Sequence, residues 1–171
     1  MLILASASNS RRRLLEQVGI AHKVIVSKID ELDHGCLEIK QIVRNLASRK
    51  AKYVASEISS KFLRDKNFIG IKAIIGCDSL FEFRGNIFGK PQNDKEAIQR
   101  LKMMSLASGV IHTGHCLLIR NCNDFKNNIT GFDLEISDVV STKISFIELN
   151  DKDISSYVNT GEPLKCAGGF A

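Results

Sequence analysis

The densest chemistry in the chain lies just behind its first apolar stretch, in Ser6-Ala7-Ser8-Asn9-Ser10-Arg11-Arg12-Arg13. Arginines in a first helical turn oppose the helix dipole, so three of them there are destabilising unless an anion sits with them. With a phosphate bound, the free backbone N–H groups, the hydroxyls of Ser6, Ser8 and Ser10, and the guanidinium forks of Arg11 and Arg12 would converge on the same oxyanions. The alternative is a solvent-facing basic turn, and the residue types alone leave the two readings level. The loop is not a Walker motif, since G-x-x-x-x-G-K-[ST] does not occur in the chain.

Two further charged residues stand where charge needs a reason, and two more could join them. Lys50 falls in the middle of an apolar helical stripe, so it either snorkels to the rim or serves a site. Asp78 closes the apolar run Ala73-Ile74-Ile75-Gly76-Cys77, where an unpaired carboxylate is costly. Strand ends of α/β sheets bind ligands, so Asp78 reads as a general base or metal ligand, with the capping of a turn as its competitor. Lys90, in Gly89-Lys90-Pro91, is expected on a strand whose hairpin partner starts at Asp78, so that both face one cleft. Glu31, in the acidic loop Asp30 to Gly35, would complete a magnesium site with Asp78, because that ion takes one or two carboxylates plus phosphate oxygens and water. A solvated acidic loop is the plainer reading. His112, His115 and Cys116 have a zinc-like spacing, but they lie in an apparent strand without a fourth ligand, and we read them against zinc.

The elements that must position these residues follow from periodicity. Residues 2 to 5 read as a strand, followed by a serine-rich loop and a helix with Leu14, Leu15 and Val18 at helical spacing and Gly19 as its stop. Residues 24 to 29 read as a second strand, and a helix is expected over about 37 to 60 with Ile39, Val43, Leu46, Ala47, Val54 and Ile58 inward. Ala73 to Phe83 turns at Arg84-Gly85-Asn86 and returns as a hairpin. Asn93 or Asp94 caps a helix carrying Ala97, Ile98, Leu101 and Met104 and fading at Ser108-Gly109. Val110 to Arg120 and Val139 to Leu149 read as strands about an asparagine-rich loop, and Asn150 with Asp153 caps a short helix ending near Val158. The alternation predicts an α/β fold with a mixed sheet flanked by helices.

Composition bounds the rest. A chain of 171 residues, 44% hydrophobic and 25% charged, has material for one packed domain and lacks a polar low-complexity tract. The apolar runs are too short for a membrane span, and the N-terminal arginines follow the apolar stretch where a signal peptide would place them first. Five cysteines without a C-x-x-C pair suggest reduced thiols and a cytoplasmic setting. The net charge of +5 suits an anionic ligand, but zero Trp, two Tyr and no basic stripe interleaved with aromatics argue against a nucleic-acid partner.

Taken in order, these residues resemble the Maf-like nucleotide pyrophosphatase family, named for a septum-formation phenotype. The resemblance rests on L-I-L-A-S-A-S-x-x-R at Leu2 to Arg11, D-E at Asp30-Glu31, L-A-x-x-K-A at Leu46 to Ala51, and I-G-C-D-S at Ile75 to Ser79. It continues through G-x-x-x-G-K-P at Gly85 to Pro91, H-T-G-H at His112 to His115, and Y-V-x-T-G-E-P-L…A-G at Tyr157 to Gly168. Several motifs in one order are far more specific than any one alone.

The resemblance implies an elongated α/β fold similar to that of inosine triphosphatase and a house-cleaning hydrolase. Such an enzyme cuts nucleoside triphosphates between the α and β phosphates with Mg²⁺ or Mn²⁺, and family members are often homodimers. Carried over by position, Ser6 and Arg11 match the phosphate loop, with Ser8, Ser10, Arg12 and Ser79 grouped with the substrate-binding residues. Lys50 and Lys90 match the site lysines, Glu31 the acidic site residue and Asp78 the catalytic acid or base. Members acting on dTTP and UTP usually carry a proline and an arginine where this chain has Asn9 and Ser10, and a threonine in place of Ser79. Members selective for 7-methyl-GTP tend to have tryptophan in place of Ser10 and glutamine in place of Ser79, so neither signature is present. The family pattern also continues past A-G with another strand and a closing helix. Against that pattern the chain reads as one domain, 1–171, short at its C-terminal end, with apolar sheet surface exposed. The alternative function is a non-catalytic or weakly active nucleotide-binding regulatory protein linked to cell division.

Overall fold

The computed structural model describes residues 1–30, 38–62, 70–120, 132 and 134–171, the side chains of residues 60–62 excepted. Its elements are β1 (Leu2–Ala5), α1 (Asn9–Gln17), β2 (His22–Val24), α2 (Ile39–Phe62), β3 (Ala73–Phe83), β4 (Asn86–Phe88), α3 (Asp94–Met104), β5 (Ser108–Ile119), β6 (Leu134–Ser145) and α4 (Asp151–Val158). Two short 3₁₀ turns, Pro163–Lys165 and Ala167–Gly169, follow α4. The sheet order is β2-β1-β3-β5-β6, with β4 paired to β3. β1 is parallel to both β2 and β3, whereas β4 is antiparallel to β3, so the mixed α/β sheet expected from the sequence is present.

Two compact units divide the chain, Met1–Asp78 with Gly114–Val139, and Ser79–Thr113 with Val140–Ala171, so that β3, β5 and β6 each contribute residues to both. The first unit is built on aliphatic packing. β1 buries Ile3, Leu4 and Ala5, and α2 lays Val43, Leu46, Ala47, Val54 and Ile58 of the expected stripe inward together with Ala51, while Ile39 is only half-buried. Ile3, Ala5, Ala47, Ala51, Val54 and Ile58 share one cluster with Ile71, Ile74, Cys116 and Leu118. No residue of α1 is buried, and Leu14 and Val18 lie exposed.

How closely α2 approaches the sheet is set by two missing side chains. A methyl group on Gly76 of β3 would lie 2.2 Å from the carbonyl oxygen of Ala47, and one on Gly114 of β5 would lie 2.2 Å from that of Val43. An isolated strand glycine commonly marks such a close backbone approach. A polar clasp holds the same helix. Glu135 of β6 accepts from Ser48 Oγ at 2.6 Å and pairs with Lys52 at 2.8 Å. Chiefly through the Lys52 contact and then Ser48, its carboxyl is held down to about 2.

The second unit has an aromatic core of Phe81, Phe83, Ala97, Leu101, Met104, Ile154 and Val158. Phe170 meets the rings of Phe81 and Phe146 edge-on at 4.9 and 5.0 Å. Asn93 accepts the N–H of Glu96 at 2.9 Å and Asn150 that of Asp153 at 2.9 Å, the two N-caps expected from the sequence. The β3–β4 turn carries positive φ at both Arg84 and Gly85, as a tight hairpin requires.

Several boundaries differ from expectation. β2 pairs with Leu2 to Leu4 and ends with Val24, because β1 runs only to Ala5, so the strand expected over 24 to 29 is short and early. β6 starts at Leu134 rather than Val139 and stops at Ser145. Beyond it Phe146 and Ile147 hydrogen-bond to Ala107 and Leu106 instead of continuing a ladder, and Leu149 N–H donates to Ser105 Oγ. Along β6 the apolar side chains of Leu134, Ile136 and Val140 are exposed.

The seating of α2 can be tested at two positions. Gly76→Ala forces backbone atoms apart and should cost about 1–3 kcal/mol in chemical denaturation, the range for overpacking, and lower any activity that depends on α2. Glu135→Gln should lower thermal stability near neutral pH. Because the folded-state value of Glu135 lies below the unfolded one, the difference from wild type is complete above the ordinary carboxylate range and closes as pH falls toward about 2, which melts taken across pH will show.

Candidate active site

In the first unit the chain leaves β1 toward β2 on one side, and the next strand, β3, pairs on the other. The carboxyl end of β1 is therefore a topological switch point, where open parallel sheets bind ligands because neighbouring loops diverge. The Ser6 to Ser8 loop emerges here, and the register of Ala5 with Gly76 sets it beside Cys77 and Asp78.

Local chemistry shapes the loop. Ser8 caps α1, its hydroxyl accepting the N–H of Arg11 at 3.4 Å. Ser6 is buried, and its Oγ accepts from Ser8 N–H at 3.3 Å and from Arg11 Nη1 at 2.9 Å. The same Nη1 donates to the carbonyl of Cys77 at 2.9 Å, so Arg11 ties the loop to β3 one residue before Asp78. No acidic residue occupies the first turn of α1, which leaves its N-terminal end electropositive.

Lys50 and Asp78 form a buried ion pair, Nζ to Oδ1, each side chain only 10% exposed. This decides both sequence alternatives. Lys50 does not snorkel, and Asp78 does not cap a turn, because β3 continues unbroken to Phe83. Asp78 is thus a mid-strand residue rather than the strand end expected; the strand end that matters is that of β1. Burial pushes the Cys77 thiol up, against the pull of Arg11 and Lys50, so it stays neutral and adds no charge.

The remaining sequence candidates lie on other elements. Ser10 and Arg12 are exposed on α1, where Arg12 pairs with Glu16 at 3.2 Å. Ser79, in the second unit, shares a hydrogen bond with Thr113 at 2.9 Å. Lys90, also in the second unit, is exposed and lies two residues beyond the end of β4, so it is not on the hairpin strand expected. Glu31 lies outside the described residues. His112 engages Ser141 at 2.8 Å and Glu82 at 3.0 Å, while Cys116 donates to Glu135 at 3.6 Å, so both already serve strand-to-strand contacts. Among the described residues no group of three or more His, Cys, Asp or Glu could hold a metal.

Sequence reasoning missed the residues that position rather than react. Gly76 and Gly114 seat α2, Glu135 holds its outer face, and Thr113 holds Ser79. A glycine inside I-G-C-D-S was the one legible signal.

A family model described as Maf-like protein matches residues 1–171. The chain belongs to the Maf-like family. It is 50% identical over 173 residues to a nucleoside triphosphate pyrophosphatase of Prochlorococcus marinus (strain SARG), an alignment covering 100% of this chain and 81% of that relative. It is 44% identical over 171 residues to the protein of the same name from P. marinus strain AS9601, covering 100% of this chain and 84% of the relative. The corresponding Synechococcus sp. (strain WH7803) protein is 42% identical over 171 residues, with 100% and 82% covered. In this Maf-like chain the family's L-A-x-x-K-A and I-G-C-D-S segments are therefore the two halves of one buried contact.

Removing one partner of a buried ion pair leaves the other charge without compensation. Lys50→Met should cost about 3–5 kcal/mol in unfolding free energy, and Lys50→Met with Asp78→Asn distinctly less, as measured by denaturant titration.

Proposed function

We propose that this chain hydrolyses nucleoside triphosphates to the nucleoside monophosphate and pyrophosphate, as the names of its relatives indicate for them. The observation that carries the reading is the buried Lys50–Asp78 pair beside the Ser6–Arg11 loop at the switch point of the sheet. A carboxylate with the cationic groups of Lys50 and Arg11 suits triphosphate hydrolysis, which asks for positive charge on the phosphates and a base for water.

In this reading Ser6, Ser8 and the first-turn N–H groups of α1 receive phosphate oxygens, and Arg11 fixes the loop while adding charge. Asp78 orients the attacking water and takes its proton, and Lys50 holds the Asp78 carboxylate in place. Lys90 adds positive charge for the leaving group, and Ser79, held by Thr113, contributes to substrate contact. Asp78 is a hard oxygen donor beside a phosphate-binding loop, a set that fits Mg²⁺ or Mn²⁺. That ion needs only one or two carboxylates when phosphate oxygens complete its shell, and Glu31 with Asp78 would hold it. Such an ion supplies charge neutralisation for the phosphates when bound.

The free thiols of Cys77, Cys116 and Cys166 suit a reducing cytoplasm. No helix among the described residues is long and apolar enough to cross a membrane. A small nucleotide rather than a nucleic acid is the ligand assigned, the biological role is removal of unwanted nucleotides, and a homodimer is the assembly proposed.

The test is pyrophosphate release from a panel of normal and modified nucleoside triphosphates, with Mg²⁺ or Mn²⁺ and with chelator. Multiple turnovers are expected with the ion, and Asp78→Asn should lower kcat by about 10²–10⁴-fold while keeping a cooperative melt. Full release by folded Asp78→Asn would remove the base assignment, and nucleotide binding without turnover by the wild type would replace the enzyme with a binding protein.

A further inference from the structure

The second unit contains a device whose target is the backbone on either side of Lys90. Arg100 of α3 donates Nη1–H to the carbonyl of Gly89 at 2.7 Å and Nη2–H to Glu96 Oε1 at 2.5 Å. Its guanidinium lies 4.7 Å from the ring centroid of Phe88, and its side chain is only 11% exposed. The other oxygen of Glu96 accepts the N–H of Gln92 at 2.7 Å. That bond, with the Arg100 contact behind it, holds the Glu96 carboxyl below the usual carboxylate range.

One ion pair on one helix therefore grips the chain at Gly89 and at Gln92. Between them Pro91 is buried and fixed in φ, and Lys90 is exposed. Gly89 is held a second time, its carbonyl accepting Gly168 N–H at 3.0 Å. Ordering two long side chains and burying a guanidinium is costly for a mere surface i,i+4 pair, which contributes only a few tenths of a kcal/mol. The arrangement makes sense if the placement of the enclosed lysine matters, since a misplaced charge loses most of its effect on a transition state. Only arginine fits the position, because its planar fork reaches two acceptors while its face covers Phe88.

We propose that Arg100, held by Glu96, is a positioning residue that fixes the backbone carrying Lys90; this rests on the reading of Lys90 as a phosphate-contacting residue. Arg100 itself touches no substrate. It fixes the backbone from which the ammonium projects.

A double-mutant cycle tests it. Affinity for a non-hydrolysable α,β-methylene nucleoside triphosphate and kcat/KM for the best substrate are measured for Arg100→Met, Lys90→Ala and the double variant, with Arg100→Met/Arg11→Ala as the comparison and thermal melts throughout. Arg100→Met alone should lose about 10-fold or more in kcat/KM. It should lose nothing further in the Lys90→Ala background, yet its loss should multiply with that of Arg11→Ala. Arg100→Lys should not restore the loss.

Full activity in Arg100→Met, or a loss that multiplies with that of Lys90→Ala, overturns the proposal. Unchanged binding and turnover in Lys90→Ala alone also overturns it, while leaving the pyrophosphatase reading to stand on Asp78→Asn. If Arg100→Met melts without cooperativity, Glu96→Gln, which loosens the same grip, takes its place in the cycle with the same expectations.

Discussion

A lysine and an aspartate cannot each be withdrawn from water alone, because desolvating a single charge costs far more than one side chain's packing returns. In this chain both are withdrawn, and together: Lys50 from the middle of α2 meets Asp78 from the middle of β3. Much of the first unit follows from making that meeting possible. α2 must lie almost against the strand backbones, so β3 and β5 carry glycine where the helix crosses them. Its far face must not roll, so Ser48 and Lys52 are held by Glu135. The cationic loop after β1 must stay close without collapsing onto Asp78, and Arg11 achieves this by spanning Ser6 and the Cys77 carbonyl.

The two units solve different packing problems. The first has an aliphatic core in which small residues such as Ala5, Ala47 and Ala51 allow close approach, and close approach is what brings functional side chains together. The second is packed with aromatic rings: Phe81, Phe146 and Phe170 meet edge-on and Phe83 stacks on Phe81, in one cluster with residues of α3 and α4. A rigid α3 is also the condition for Arg100 and Glu96 to hold the chain at Gly89 and Gln92, so the aromatic core and that grip are parts of one construction.

Much of this was legible beforehand because it is periodic or local. The α2 stripe is visible at helical spacing with Lys50 as its one misfit, and the Asn93 and Asn150 caps show themselves by residue type and offset. The Arg84-Gly85 turn is read from Gly85, which takes positive φ without cost, although Arg84 adopts it too. What failed was whatever depends on neighbours. The length of β2 is limited by β1, and the start of β6 at Leu134 was hidden because the charge there, Glu135, is held by a helix distant in sequence. The placement of Lys90 on a strand failed because the hairpin ladder ends at Phe88.

By itself, then, the sequence determined the class of fold, the ancestry, and which residues are chemically out of place, since helical and strand periods and ordered motifs are properties of the chain read along its length. It could not decide whether Lys50 snorkels or Asp78 caps a turn. Each alternative has the same local pattern, and the choice lies in which partner reaches the other across the sheet. Tertiary structure made that choice by bringing residues 50 and 78 into contact where water is scarce, and there a paired charge is the only affordable one.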